Sequence, residues 1–220
     1  MYNGDEKLIN DGEYLPYTML DFWKWAYSNL LQNMQRGTLA EFIVKSALEQ
    51  NNVHENSTMK TGLEPYDLDG PFRPEYNRSA HIEVKCAAMV QLWDIKHPDR
   101  ASFSIAPAKL PDMTGDFKKD APRQRNSDLY VFSLYTATDR RRNILDLSWW
   151  EFYVCPTNYL DEKYPGQKTI SLKTLREFCR PCTFDELYQR ISDVCTEISI
   201  YPDNRQTVFT PLHPDNSSKT

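Results

Sequence analysis

Glu83 and Lys85 stand two residues apart in HIEVKCAA, residues 81–88. Ile82, Val84 and Cys86 are apolar and His81, Glu83 and Lys85 are not, the alternation of a strand that buries one face. The acid and the lysine therefore share the other face. Upstream, PYDLDG (65–70) alternates in the same way, with Tyr66 and Leu68 on one side and Asp67 and Asp69 on the other. Paired as neighbouring strands, the two segments bring an aspartate within reach of Glu83 across the ladder. Two converging carboxylates repel each other unless a hard divalent cation lies between them, and oxygen ligands of this kind suit magnesium or manganese. Asp67, Glu83 and the main-chain carbonyl of Val84 are the candidate metal ligands. Such a cation polarises a phosphoryl oxygen and lowers the pKa of a bound water. Lys85 would position that water and offset charge building on the phosphate. The chemistry these residue types imply is in-line hydrolysis of a phosphodiester.

A surface ion pair of little energetic weight is the competing reading of Glu83 and Lys85. The pattern is common, since about one Glu-x-Lys is expected by chance in a chain of this length. Asp-x-Lys occurs four more times, at 5–7, 94–96, 116–118 and 161–163. Asp69 competes with Asp67 for the cation, although its place before Gly70-Pro71 reads as a turn. Context distinguishes Glu83: an alternating strand, an acid-bearing strand before it, and a helix bearing Glu41 before both. Glu41 has a structural alternative as well, because Thr38-x-x-Glu41 is a capping box. His81 shares the face of Glu83 and reads as a solvated neighbour.

The elements that must hold these residues are legible in outline. YTMLDFWKWAYSNLLQN (17–33) and RGTLAEFIVKSALEQN (36–51) have helical spacing of apolar residues. Strands are expected at 59–69, 80–90, 101–108, 127–137 and 149–156, with the fourth central because its apolar run is nearly continuous. The loop GPFRPEYNRS joins the first two. Helices follow at 171–178 and 183–195, the second opened by a capping box from Thr183 to Glu186. This order predicts an α/β fold with a mixed central β-sheet of about five strands flanked by helices and a helical C-terminal part. Residues 1–200 form one domain in this reading, with 1–35 a helical lead-in. Residues 201–220, rich in Pro, Asp, Asn, Ser and Thr, form an irregular tail.

A helix glutamate, then YD on a strand, then IEVK on the next, resembles the PD-(D/E)XK nuclease superfamily, whose fold is restriction-endonuclease-like. RGTLAEFIVKSAL, EPYDLDG, IEVKCAAMVQLW, SDLYVFSLY and WWEFYVCPTNYLDE look like a bacterial family within it, over roughly residues 36–180. The resemblance implies a magnesium-dependent endonuclease acting on DNA, with RNA not excluded, in restriction or genome defence. It makes Asp67 the first metal aspartate, Glu83 the second acid, Lys85 the lysine, Glu41 a helix glutamate assisting through metal-bound water, and Gln91 a polar residue near the phosphate. Where the superfamily often has small polar residues after the lysine, this chain has Cys86-Ala87-Ala88. A catalytically silent DNA- or partner-binding module on the same fold is the alternative.

The formal net charge of −5, from 26 basic and 31 acidic side chains, excludes a wholly basic nucleic-acid binder but not a local basic groove. Lys118, Lys119, Arg123 and Arg125 in one loop, and Arg140, Arg141 and Arg142 in DRRRN, are the candidate phosphate contacts. Solvated loops explain them equally well. The five cysteines are odd in number and irregularly spaced, as expected of reduced thiols in a cytoplasmic protein. Cys179-x-x-Cys182 lacks the second ligand pair of a structural zinc site. No stretch approaches the roughly 20 apolar residues of a membrane span, and the opening residues do not read as a signal peptide. Cutting both strands of a duplex at one site would favour a homodimer.

Overall fold

The computed structural model describes residues 2–53, 65–90, 101–109, 120 and 122–200. Its centre is a four-stranded mixed sheet in the order β3 (Leu68–Arg73), β4 (Arg78–Ala88), β6 (Leu129–Tyr135) and β7 (Trp150–Pro156). The β3–β4 and β6–β7 pairs are antiparallel, and β4 runs parallel to β6. Every residue of β6 is buried, in agreement with the central position its apolar run predicts.

The strand expected at 101–108 does not join this sheet, which has four strands where about five were expected. It shortens to β5 (Ser102–Ser104), which pairs with β8 (Thr169–Ser171) in a separate two-stranded sheet. The cause is its side-chain pattern: only Phe103 is buried, and its ring lies 5.1 Å from that of Phe132 in β6. The segment therefore packs on the face of the central sheet, not along its edge.

Alternation along the strands makes two cores. Ile82, Val84, Leu129, Val131, Phe152 and Val154 face α2 (Asn33–Glu49) and α5 (Phe184–Ile200). Ala87, Tyr130, Phe132, Leu134, Tyr153 and Cys155 face β5, β8, α3 (Thr157–Lys163) and α4 (Leu172–Phe178). The expected helices at 171–178 and 183–195 are present as α4 and α5, and Thr183 N–H and Oγ1 donate to Glu186 Oε2 (2.9 and 3.0 Å). The tail expected at 201–220 lies outside the described residues.

Two local expectations change. The lead-in is a hairpin, β1 (Lys7–Asn10) and β2 (Glu13–Thr18), followed by α1 (Met19–Tyr27). Asp11 and Gly12 turn it at φ 49° and 85°, the positive pair that a tight two-residue hairpin turn requires. Thr18, not Thr38, caps a helix: its Oγ1 accepts from Asp21 N–H while Asp21 accepts from Thr18 N–H. Helix α2 starts at Asn33, so Thr38 lies inside it and bonds back to the Met34 carbonyl at 3.3 Å. The capping-box account of Glu41 therefore does not hold.

Candidate active site

Strand β3 runs through Gly70-Pro71 to Arg73, not ending at Asp69 as the turn reading implied, and its register against β4 slips between Asp69 and Phe72. Gly70 permits the close approach, because a Cβ there would lie 2.8 Å from Ile82 Cδ1. The residue leading into β3 is tied to β4 twice. Asp67 N–H donates to the Ile82 carbonyl (2.9 Å), and Asp67 Oδ2 accepts from Val84 N–H (2.8 Å). Asp67 thus meets β4 beside Glu83, whereas Asp69 lies one step away, opposite His81.

Glu83 and Lys85 pair with each other through Oε1 and Nζ, with side chains 20% and 29% exposed. Their face is not open, as the alternation alone suggested. Tyr130 and Phe132 of β6 stand opposite Glu83 and Lys85, and the second core covers those rings. The ion pair occupies the margin of that core. Burial first, and then the charge of Glu83, push the Tyr130 phenol up; Asp67 acts in the same direction. Asp67 and Glu83 therefore share one electrostatic neighbourhood.

The residues beside this pair form a rigid frame. The Tyr66 and His81 rings stack 3.8 Å apart at 8°. Desolvation, then the charge of Arg78, lower the His81 pKa. Arg78 grips Asp128 through two nitrogens (2.6 and 2.9 Å), the buried Arg73 reaches the same carboxylate at 3.1 Å, and His81 N–H donates to it at 2.8 Å. Arg73 also lies over the Tyr76 ring, 4.3 Å from its centroid. No signal in the sequence indicated Asp128 or Tyr130. Their roles come from register between strands more than 40 residues apart, and Arg78 and His81 lay in segments read only for their own pattern.

Glu41 projects from α2, and its charge acts on the Cys86 thiol, which burial raises to about 11. Cys86 packs against the first core, so Glu41 approaches β4 from the face opposite Glu83. Arg125 is a correction of surroundings. Its side chain is 0% exposed and donates to Ile105 O (2.8 Å), Asp161 Oδ1 (2.5 Å) and Tyr164 O (2.8 Å), which removes it from the surface available to a phosphate. Arg123, Arg140, Arg141 and Arg142 are exposed. Arg141 pairs with Asp139, whose carboxyl it holds near 2, and Arg142 lies over the Trp149 ring at 4.8 Å. Gln91, Lys118 and Lys119 lie outside the described residues. Cys179 closes α4 and Cys182 pairs with Phe152 ahead of α5; no disulfide joins the five cysteines.

Among the described residues no three His, Cys, Asp or Glu side chains are grouped to hold a metal. The expected set needs only two carboxylates with a main-chain carbonyl, and the all-oxygen set of Asp67, Glu83 and Val84 suits a hard divalent cation in donor chemistry. No helix among the described residues is long and apolar enough to cross a membrane. No family model matches the chain, and no curated protein matches it in sequence.

Proposed function

We propose that the chain is a magnesium-dependent endonuclease of the PD-(D/E)XK type on a restriction-endonuclease-like fold, acting on DNA. One observation carries this reading: the Asp67 carboxylate bonded to Val84 N–H, directly beside the Glu83–Lys85 pair. A bound Mg²⁺ or Mn²⁺ would supply Lewis-acid polarisation of the phosphoryl group and a more acidic water. Asp67, Glu83 and the Val84 carbonyl would hold it.

The chain's own residues do the rest. Asp67 is fixed by a main-chain donor, so its carboxylate keeps one orientation whether or not Glu83 moves. Lys85 Nζ is anchored on Glu83 and would be free to meet a phosphate oxygen if that carboxylate held a cation instead. Tyr130 and Phe132 form the apolar floor that keeps water from the buried side of the pair. In the overall reaction a water oxygen bonds to phosphorus as the ester P–O bond breaks, and the departing oxygen takes up a proton. The closed Glu83–Lys85 pair equally favours the second reading, in which these side chains stabilise a binding module.

Calorimetric titration with Mg²⁺ and Mn²⁺ separates the two. Binding in the micromolar-to-millimolar range, lost in both Asp67→Asn and Glu83→Gln, is the expected outcome. Absence of binding, or binding unchanged in both variants, favours the binding module.

A further inference from the structure

On the face of β4 away from Glu83, polar groups are enclosed without a full set of partners. Arg36 lies near the start of α2 and is 2% exposed. Two of its nitrogens are satisfied: Nη1 donates to Leu31 O (2.9 Å) and Nη2 to Asn33 Oδ1 (2.7 Å). The third, Nε, is buried and has no hydrogen-bond partner. The guanidinium adjoins the Cys86 thiol and bonds to it. Across the β4–β6 ladder Cys86 stands opposite Ser133, which is 0% exposed and whose Oγ is likewise buried without a partner. Ser133 alternates with Phe132 and Leu134 of the second core, so it faces α2 as Cys86 does. Two orphaned groups therefore flank one thiol. Buried polar atoms in folded proteins are almost always met by protein, water or an ion.

Charge decides what meets these two. A buried guanidinium needs a counter-charge as well as hydrogen bonds. The partners of Arg36 are a carbonyl and an amide, and among the described residues no carboxylate forms an ion pair with it. Glu41 acts on the same thiol at longer range. The helix adds to the demand. Seventeen residues long, α2 has no acid in its first turn, and its N-cap Gln32 supplies no side-chain bond, so its positive end is uncompensated.

A bound water would satisfy the hydrogen bonds and leave the charge. An anion answers both. The Cys86 S–H turns to the Ala87 carbonyl at 3.7 Å, which leaves Arg36 Nε and Ser133 Oγ as the donors that face no acceptor. Both atoms are closed to solvent, so the space suits an ion about the size of a water and not a sulfate or phosphate. We infer that Arg36 and Ser133, beneath the N-terminal end of α2, hold a monoatomic anion of the chloride class between helix and sheet. The site lies on the face of β4 opposite Glu83, so it neither needs the candidate cation nor competes with it, and it stands or falls apart from the nuclease reading.

Crystals of the full chain soaked in sodium bromide test the site directly. An anomalous bromine peak within hydrogen-bonding distance of Arg36 Nε and Ser133 Oγ is the expected result. In solution, urea denaturation in sodium chloride is compared with sodium gluconate at equal ionic strength, gluconate being too large to enter. The folding equilibrium constant is expected to be about threefold higher or more at about 100 mM chloride, the factor for a dissociation constant of about 50 mM. Ser133→Ala, which changes the volume little, is expected to lose that advantage while remaining folded, and Arg36→Gln to lose it as well. Water in place of bromide, bromide bound only elsewhere on the surface, or a chloride advantage equal in the parent and both variants overturns the inference. So does equal stability of the parent in the two salts.

Discussion

Arg125 and Arg141 carry the same guanidinium into opposite surroundings. Arg125 is enclosed and its donors are spent on Ile105, Asp161 and Tyr164. Its loss would strand buried carbonyl acceptors, so Arg125→Ala is expected to cost about 3 kcal/mol of stability by chemical denaturation. Arg141 is 89% exposed and paired to Asp139 two residues before it, in a geometry that contributes little to folding. Arg141→Ala is expected to leave stability within about 0.5 kcal/mol of the parent. If the basic turn meets a phosphate, the same variant lowers the slope of log affinity against log salt by about 1. Folding loss from Arg141→Ala, or loss of DNA affinity without folding loss from Arg125→Ala, would contradict this division. The Glu83–Lys85 pair lies between these extremes, closed and at the margin of the second core.

At the scale of elements, the Asp128 frame holds β3, β4 and the entry to β6 together, and so sets Asp67 against Val84. Burial opposes ionisation of Asp128, but hydrogen bonds from Arg78 and His81 N–H, with the Arg78 and Arg73 charges, outweigh it and hold its carboxyl below the ordinary 3.8. A lowered folded-state pKa gives stability that is complete above the unfolded value and lost as pH falls through the folded one. Asp128→Asn, which leaves the buried Arg73 without this carboxylate, is expected to cost about 3 kcal/mol at neutral pH. Its stability should also fall less steeply than the parent's below about pH 4, measured by denaturant melts across the acid range. Parallel acid curves would remove Asp128 from that role. The adjacency of Asp67 and Glu83 was legible because two alternating segments a few residues apart pair locally. The covered face was not legible: it depends on Tyr130, Phe132 and Tyr153, brought from strands whose order no local pattern encodes. Thr38 and Glu41 have capping-box spacing, but the helix had already begun at Asn33, behind the packed Leu30 and Leu31. Asp11-Gly12 is a hairpin-turn dipeptide, but its flanking strands bury no residue, so no core-facing pattern marks them.

At the scale of the molecule, an acidic chain groups three exposed arginines, Arg140, Arg141 and Arg142, at the turn following β6 and its acid pair in mid-sheet. Glu83 stands opposite Tyr130, five residues before the end of β6. At ~3.3 Å per residue β6 ends about 16 Å along the strands from the candidate centre, and DRRRN begins four residues after that end. The measurement that bears most directly on the cleavage centre is an assay on supercoiled, linear, single-stranded and methylated DNA with Mg²⁺ or Mn²⁺, comparing the parent with Glu83→Ala and Lys85→Ala. The account predicts nicking or cutting by the parent, abolished by EDTA and reduced about 100-fold or more in each variant. No cleavage of any substrate with either metal, while parent and variants bind DNA equally, would contradict it.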